Sequence, residues 1–102
     1  MVAIFREGEF LAVDDGKVIS KLTFSEIEEV YALKEDCFSY DEVLLHVKFS
    51  DDLICEATEG TKVFDQISEK LESDLPGMKK DWFNDVTDPP FETNHTLLWR
   101  RP

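Results

Sequence analysis

The sequence predicts an α+β fold, a bent antiparallel sheet of about six strands packed on one long helix over residues 61–75. Three observations carry this prediction. Up to Thr58, short alternating apolar segments are separated by polar turns. The apolar period then changes from two to that of a helix. Pro76-Gly77 ends the helical stretch, because proline disfavours helical angles in the residue before it and donates no amide. At 102 residues and 42% hydrophobic, the chain is expected to form one domain with a sizeable core.

The elements follow in order. Val2–Arg6 reads as a strand, Glu7-Gly8-Glu9 as a turn and Phe10–Val13 as the return. Asp14-Asp15-Gly16 is a hairpin signal, since Asp tolerates left-handed backbone angles and Gly adopts them freely. Lys17–Leu22 follows, with Val18 and Leu22 assigned to one face. Phe24–Ile27 reads as one helical turn or a tight bend. Glu29–Glu35 is a strand with Val30, Ala32 and Lys34 opposite Tyr31 and Leu33, and Asp36–Asp41 is a loop. Val43–Phe49 alternates most clearly: Val43, Leu45, Val47 and Phe49 share one face, and Leu44, His46 and Lys48 the other. Ser50-Asp51-Asp52 is a second hairpin turn, and Leu53–Thr58 returns.

Val63, Phe64, Ile67, Leu71 and Leu75 then mark one face of an amphipathic helix. Thr61 is its predicted N-cap, and Phe64 occupies the position where a capping box needs Glu or Gln. Met78–Thr93 reads as irregular, with Asp88-Pro89-Pro90-Phe91 extended, and Thr96–Arg100 as a last strand or extended clip. Trp82, Phe91 and Trp99 are expected to pack across the helix or the sheet, because so apolar a terminus does not hang free.

Charge bears on partners more than any motif does. Eleven acidic and two basic side chains lie between Thr23 and Gly60, so this stretch carries most of the net −12. Such a field repels phosphates and attracts cations or basic proteins. Nucleic acid is disfavoured as a partner, since it needs a basic stripe and the only basic doublets are Lys79-Lys80 and Arg100-Arg101. No run approaches a membrane span and no export signal is evident, so the expectation is cytoplasmic residence with Cys37 and Cys55 reduced.

Candidate chemistry is sparse. Asp14-Asp15 and Asp51-Asp52 sit in hairpin turns, where neighbouring carboxylates point different ways and do not form a calcium loop. His46, His95, Cys37 and Cys55 show no metal-ligand spacing, so folding alone would have to assemble a site. His46 is expected to be a partly exposed surface histidine. Cys37 lies among Glu35, Asp36 and Asp41, which suppress its thiolate, and Cys55 is expected in the core. Glu56 is the best candidate for a semi-buried acid, but the reading held for it is a solvated face. No nucleophile elbow, phosphate loop or dinucleotide fingerprint is present. No catalytic residue, metal or cofactor is predicted.

Leu22-Thr23-Phe24-Ser25-Glu26-Ile27-Glu28-Glu29-Val30 resembles a strand–turn–strand segment of bacterial pleckstrin-homology-like domains. Leu75-Pro76-Gly77, Trp82, Val86, Pro90-Phe91, Asn94, Thr96 and Leu98-Trp99-Arg100 resemble the C-terminal signature of a group of small, uncharacterised bacterial proteins. The resemblance implies a pleckstrin-homology-like fold and supplies no site residue. The chain departs from that fold in continuing well past its long helix. Its acidic loops also differ from the basic loops of phosphoinositide-binding members.

The functional expectation is a non-enzymatic binding module that docks a protein with a basic surface through Glu26, Glu28, Glu29, Glu35, Asp36, Asp41 and Glu42. Two alternatives stand beside it: an immunity-type inhibitor of a basic toxin or nuclease, and a small-ligand binder or enzyme using a cleft between helix and sheet.

Overall fold

The computed structural model describes residues 1–36, 41–78, 82–87 and 94–102. Three strands, β1 (Val2–Arg6), β2 (Glu9–Asp14) and β3 (Lys17–Leu22), form an antiparallel meander. Its two turns, Glu7-Gly8 and Asp15-Gly16, place both central residues at positive φ, from 50 to 80°. That is the two-residue hairpin geometry whose twist matches the flanking strands.

A single 3-10 turn over Phe24–Glu26 then redirects the chain. The Thr23 N–H donates to the Glu26 carboxylate (3.1 Å), and the Glu26 N–H donates to the Thr23 carbonyl (3.0 Å). After it come β4 (Ile27–Asp36), β5 (Asp41–Phe49) and β6 (Ile54–Thr58), then helix α1 (Lys62–Asp74), a short helix α2 (Trp82–Thr87) and β7 (Asn94–Arg100). These four strands make a second antiparallel sheet in the order β6-β5-β4-β7.

The described residues thus hold seven strands in two sheets where one bent sheet of about six was expected. The cause is β7. It pairs with β4 along the edge that a continued meander would have given to β3. Arg101 secures it: the Arg101 N–H donates to the Glu28 carbonyl (2.9 Å), and its guanidinium Nε donates to the Ile27 carbonyl (2.8 Å). The Trp99 indole N–H reaches the Pro76 carbonyl (2.8 Å).

The core lies between the two sheets and the helices. Phe5, Phe10 and Phe49 meet edge to face across the sheet junction, where β1 runs alongside β6. Helix α1 contributes Phe64, Ile67 and Leu71, and α2 contributes Trp82 and Val86. Thr61 caps α1 as expected, its hydroxyl accepting from the Phe64 N–H (3.2 Å). Val63, assigned to the apolar face, is instead exposed.

Two further expectations are corrected. A bulge between Ala12 and Val13 shifts the β2–β3 register, so Leu22 pairs with Phe10 on the inner side while Val18 pairs with Val13 and is exposed. The segment Met78–Thr93 is not wholly irregular, because α2 lies within it and buries Trp82 and Val86 one turn apart. Trp82 and Trp99 pack into the core; the extended segment predicted for Asp88–Phe91, Phe91 itself and the Cys37–Tyr40 part of the predicted loop lie outside the described residues.

Candidate functional site

Both helices lie on one side of the four-stranded sheet, α1 near β6 and α2 near β4, β5 and β7. The other side carries a second set of side chains, among which Leu44 is buried. Strand alternation and register build that outer face in rows. The top row, at the hairpin tip, holds Glu42 and Glu35. The next holds Thr58, Leu44, Leu33 and His95. Below it come Glu56, His46, Tyr31 and Leu97, and the lowest holds Ile54, Lys48, Glu29 and Arg100.

The third row is a hydrogen-bonded ladder. His46 Nε2 lies 2.8 Å from Glu56 Oε2, and His46 Nδ1 lies 3.2 Å from the Tyr31 hydroxyl. The Tyr31 ring touches His46 on one side and His95 on the other, at centroid separations of 5.0 and 4.9 Å. His46 is partly exposed on the outer face, as expected, and partners on both flanking strands orient it. Glu56 is exposed, in keeping with the solvated-face reading, and its carboxylate is engaged by His46. Tyr31, His95 and Leu97 joined no predicted site. The period-2 pattern placed Tyr31 and His46 on faces of their own strands, but only the pairing register makes them neighbours.

The seven acidic residues assigned to partner docking divide into two groups at opposite ends of the β4–β5 hairpin. Glu28 and Glu35, seven positions apart on β4, are separated by about 23 Å at roughly 3.3 Å per residue. At the lower end, Glu26 accepts from Thr23, Glu28 is exposed, and Glu29 sits opposite Lys48 with Arg100 at 3.6 Å. Arg101 adds a further cation there.

At the upper end, Glu35 faces Glu42 and Asp36 faces Asp41 directly across the ladder. This end of the hairpin is therefore acidic in sequence on both strands. Glu59 adds a carboxylate beside it, accepting from the Val43 N–H (2.9 Å). Lys34 is close in the chain, but its side chain turns inward with Val30 and Ala32 and is 1% exposed. It is the only buried charged residue among those described. The outer face is thus graded from mixed charge at its base, through an apolar and aromatic middle, to negative at its tip.

Cys55 is buried and free, as predicted for a core position, and burial pushes its thiol up to about 11, so it is no nucleophile. No cluster of His, Cys, Asp and Glu that could hold a metal exists among the described residues, nor does any helix there have the length and apolarity to cross a membrane. The chain matches no protein-family model, no curated protein and no solved structure.

Proposed function

We propose that the protein is a non-enzymatic binding module that docks a basic protein surface with the tip of the β4–β5 hairpin and the adjoining outer face of the sheet. The observation that supports this reading is the β4–β5 register, which gathers the acidic residues 35, 36, 41 and 42 at one end of the hairpin. Acidic residues gathered at one end give a field that steers a basic partner. Leu33, Leu44, Tyr31 and Leu97 supply an apolar and aromatic centre, and charged residues form the rim. That is the anatomy of a protein interface. The frame we propose is pleckstrin-homology-like, supported by two antiparallel sheets closed by a helix, with β7 appended after that helix.

The test is capture of binding proteins by the tagged chain at low and high salt, using two charge-matched variants. One carries Glu35→Gln and Glu42→Gln at the tip, the other Glu28→Gln and Glu29→Gln at the base. The reading expects basic proteins to be captured at low salt, released at high salt, lost by the tip variant and retained by the base variant. Capture indifferent to both salt and tip substitution would end it.

A further inference from the structure

We propose that the three-stranded meander carries a self-association surface, through which two copies of this chain meet about a two-fold axis. It involves neither the hairpin tip nor the outer face of the four-stranded sheet. Eight large apolar side chains are exposed among the described residues, and four of them, Met1, Val2, Val18 and Ile19, fall on this meander. Register gathers them. Val2 pairs with Val13 and Val13 with Val18, so three valines stand in one row across β1, β2 and β3. Ala3, Phe5 and Phe10 belong to the core, so alternation turns Val2 and Val13 to the opposite face. Ile19, which the bulge leaves out of the register, follows Val18 directly. Val2, Val18 and Ile19 are 55%, 48% and 57% exposed. Apolar side chains gathered on a surface in this way mark an interaction site, whereas scattered ones need no explanation.

Charge decides the occupant. Residues 1–22 hold three basic and four acidic side chains, so the meander carries −1 of the net −12 and the rest of the chain −11. The patch therefore lacks the field that steers a partner of either sign. Two copies repel wherever their acidic bodies approach, and least where their meanders meet. The flanking charges are also self-complementary. Asp14, Asp15 and Lys17 border the row at the β2–β3 turn. Asp14 lies 3.8 Å from the Met1 amine, whereas Asp15 and Lys17 make no ion pair among the described residues. A two-fold interface is reciprocal, so Lys17 of each copy is free to meet Asp15 of the other.

The contact is made by side chains rather than by a shared ladder. Lysine on an edge strand discourages backbone pairing, and Lys17 and Lys21 both lie on β3, the outermost strand of the meander. Lys21 pairs with Glu9 of β2 at 2.8 Å, so the aliphatic centre has a rim of both signs. An apolar centre within a polar rim is the arrangement of a protein interface. Valine and isoleucine also lose little freedom on docking, because β-branching already restricts their rotamers. The charge that opposes association lies away from the patch, so salt tightens the dimer by screening it, the reverse of its effect on tip docking. The reciprocal Lys17–Asp15 pairs are exposed and contribute little by comparison.

The experiment is sedimentation equilibrium of the full chain over a range of concentrations, at low and moderate salt. Four proteins are compared: the wild type, Val18→Lys, Ile19→Lys and the control Leu97→Lys, whose leucine is 43% exposed on the other sheet. Each added lysine reduces the net negative charge and so favours association non-specifically, which makes a loss attributable to the patch. The wild type is expected to show a monomer–dimer equilibrium that tightens as salt rises. Val18→Lys and Ile19→Lys each weaken it by about tenfold or more, because a two-fold axis removes the contact twice. Leu97→Lys does not weaken it. Circular dichroism melts check the fold. Should a patch variant melt early, wild-type methyl resonances give a second measurement: those of Val2, Val18 and Ile19 shift on dilution, and those of Leu97 do not. A wild type that stays monomeric at every concentration refutes the inference. So does a dimer that salt dissolves, that both patch substitutions leave unchanged, or that Leu97→Lys disrupts equally. Glu35→Gln and Glu42→Gln leave the dimer intact, so this surface and the docking tip fail separately.

Discussion

Reversing one charge at the hairpin tip should stabilise the fold while impairing docking. Glu42 faces Glu35 directly across the ladder, and Glu59 approaches from the neighbouring turn. A like-charged cross-strand pair costs roughly 0.2–1 kcal/mol, and an opposite-charged pair returns a similar amount. Glu42→Lys therefore gains about 1 kcal/mol. In a domain of this size that raises Tm by about 4–8 °C. The gain is electrostatic and solvent-facing, so it shrinks as the screening length falls from about 10 Å at 0.1 M salt to about 3 Å at 1 M. Thermal melts at low and molar salt measure both quantities. A Tm that fails to rise at low salt, or a rise that persists undiminished in molar salt, would show that these carboxylates do not repel as their register implies. The same variant should bind basic peptides more weakly, separating what the tip does for the partner from what it does to the fold.

Two further outcomes follow from local chemistry. Thr61→Ala removes the hydroxyl that accepts from the Phe64 amide at 3.2 Å; denaturant unfolding should register a loss of about 1 kcal/mol, and Thr61→Ser should recover most of it. Burial raises the Cys55 thiol from 9.0 to about 11. The folded state thus holds this proton more tightly than the unfolded state, and the associated stability is complete below about pH 9 and lost as pH rises through about 11. It amounts to roughly 2–3 kcal/mol. Unfolding titrations across that window check it, using Cys55→Ala as reference; equal pH slopes for the two proteins would contradict the assignment.

Much of the architecture was legible because it follows from local rules. Gly8 and Gly16 mark turns that need positive φ, and the chain reverses there. The alternation from Val43 to Phe49 separated the two faces of β5, although Leu44 on the outer face is also buried. The spacing from Phe64 to Leu71 did the same for α1, where Val63 alone fell on the wrong side. Helix α2 was missed because six residues give too little pattern, although Trp82 and Val86 stand at helical spacing. The face of β4 that goes inward was not readable either. Val30, Ala32 and Lys34 do not look more apolar than Tyr31 and Leu33, yet the former are buried because Val30 pairs with Val47, and Ala32 with Leu45.

The candidate site divides along the same line. Composition alone determined the sign of the field and hence the chemistry of the expected partner, since charge sums without regard to geometry. Where that field concentrates depended on strand pairing: β4 with β7 set Glu29 beside Arg100, and β4 with β5 left Glu35 facing Glu42. The ladder from Tyr31 through His46 to Glu56, and the row of Val2, Val13 and Val18, join residues from separate elements. Contacts between distant segments come from register and packing, and neither is encoded in the spacing of residues along one strand or helix.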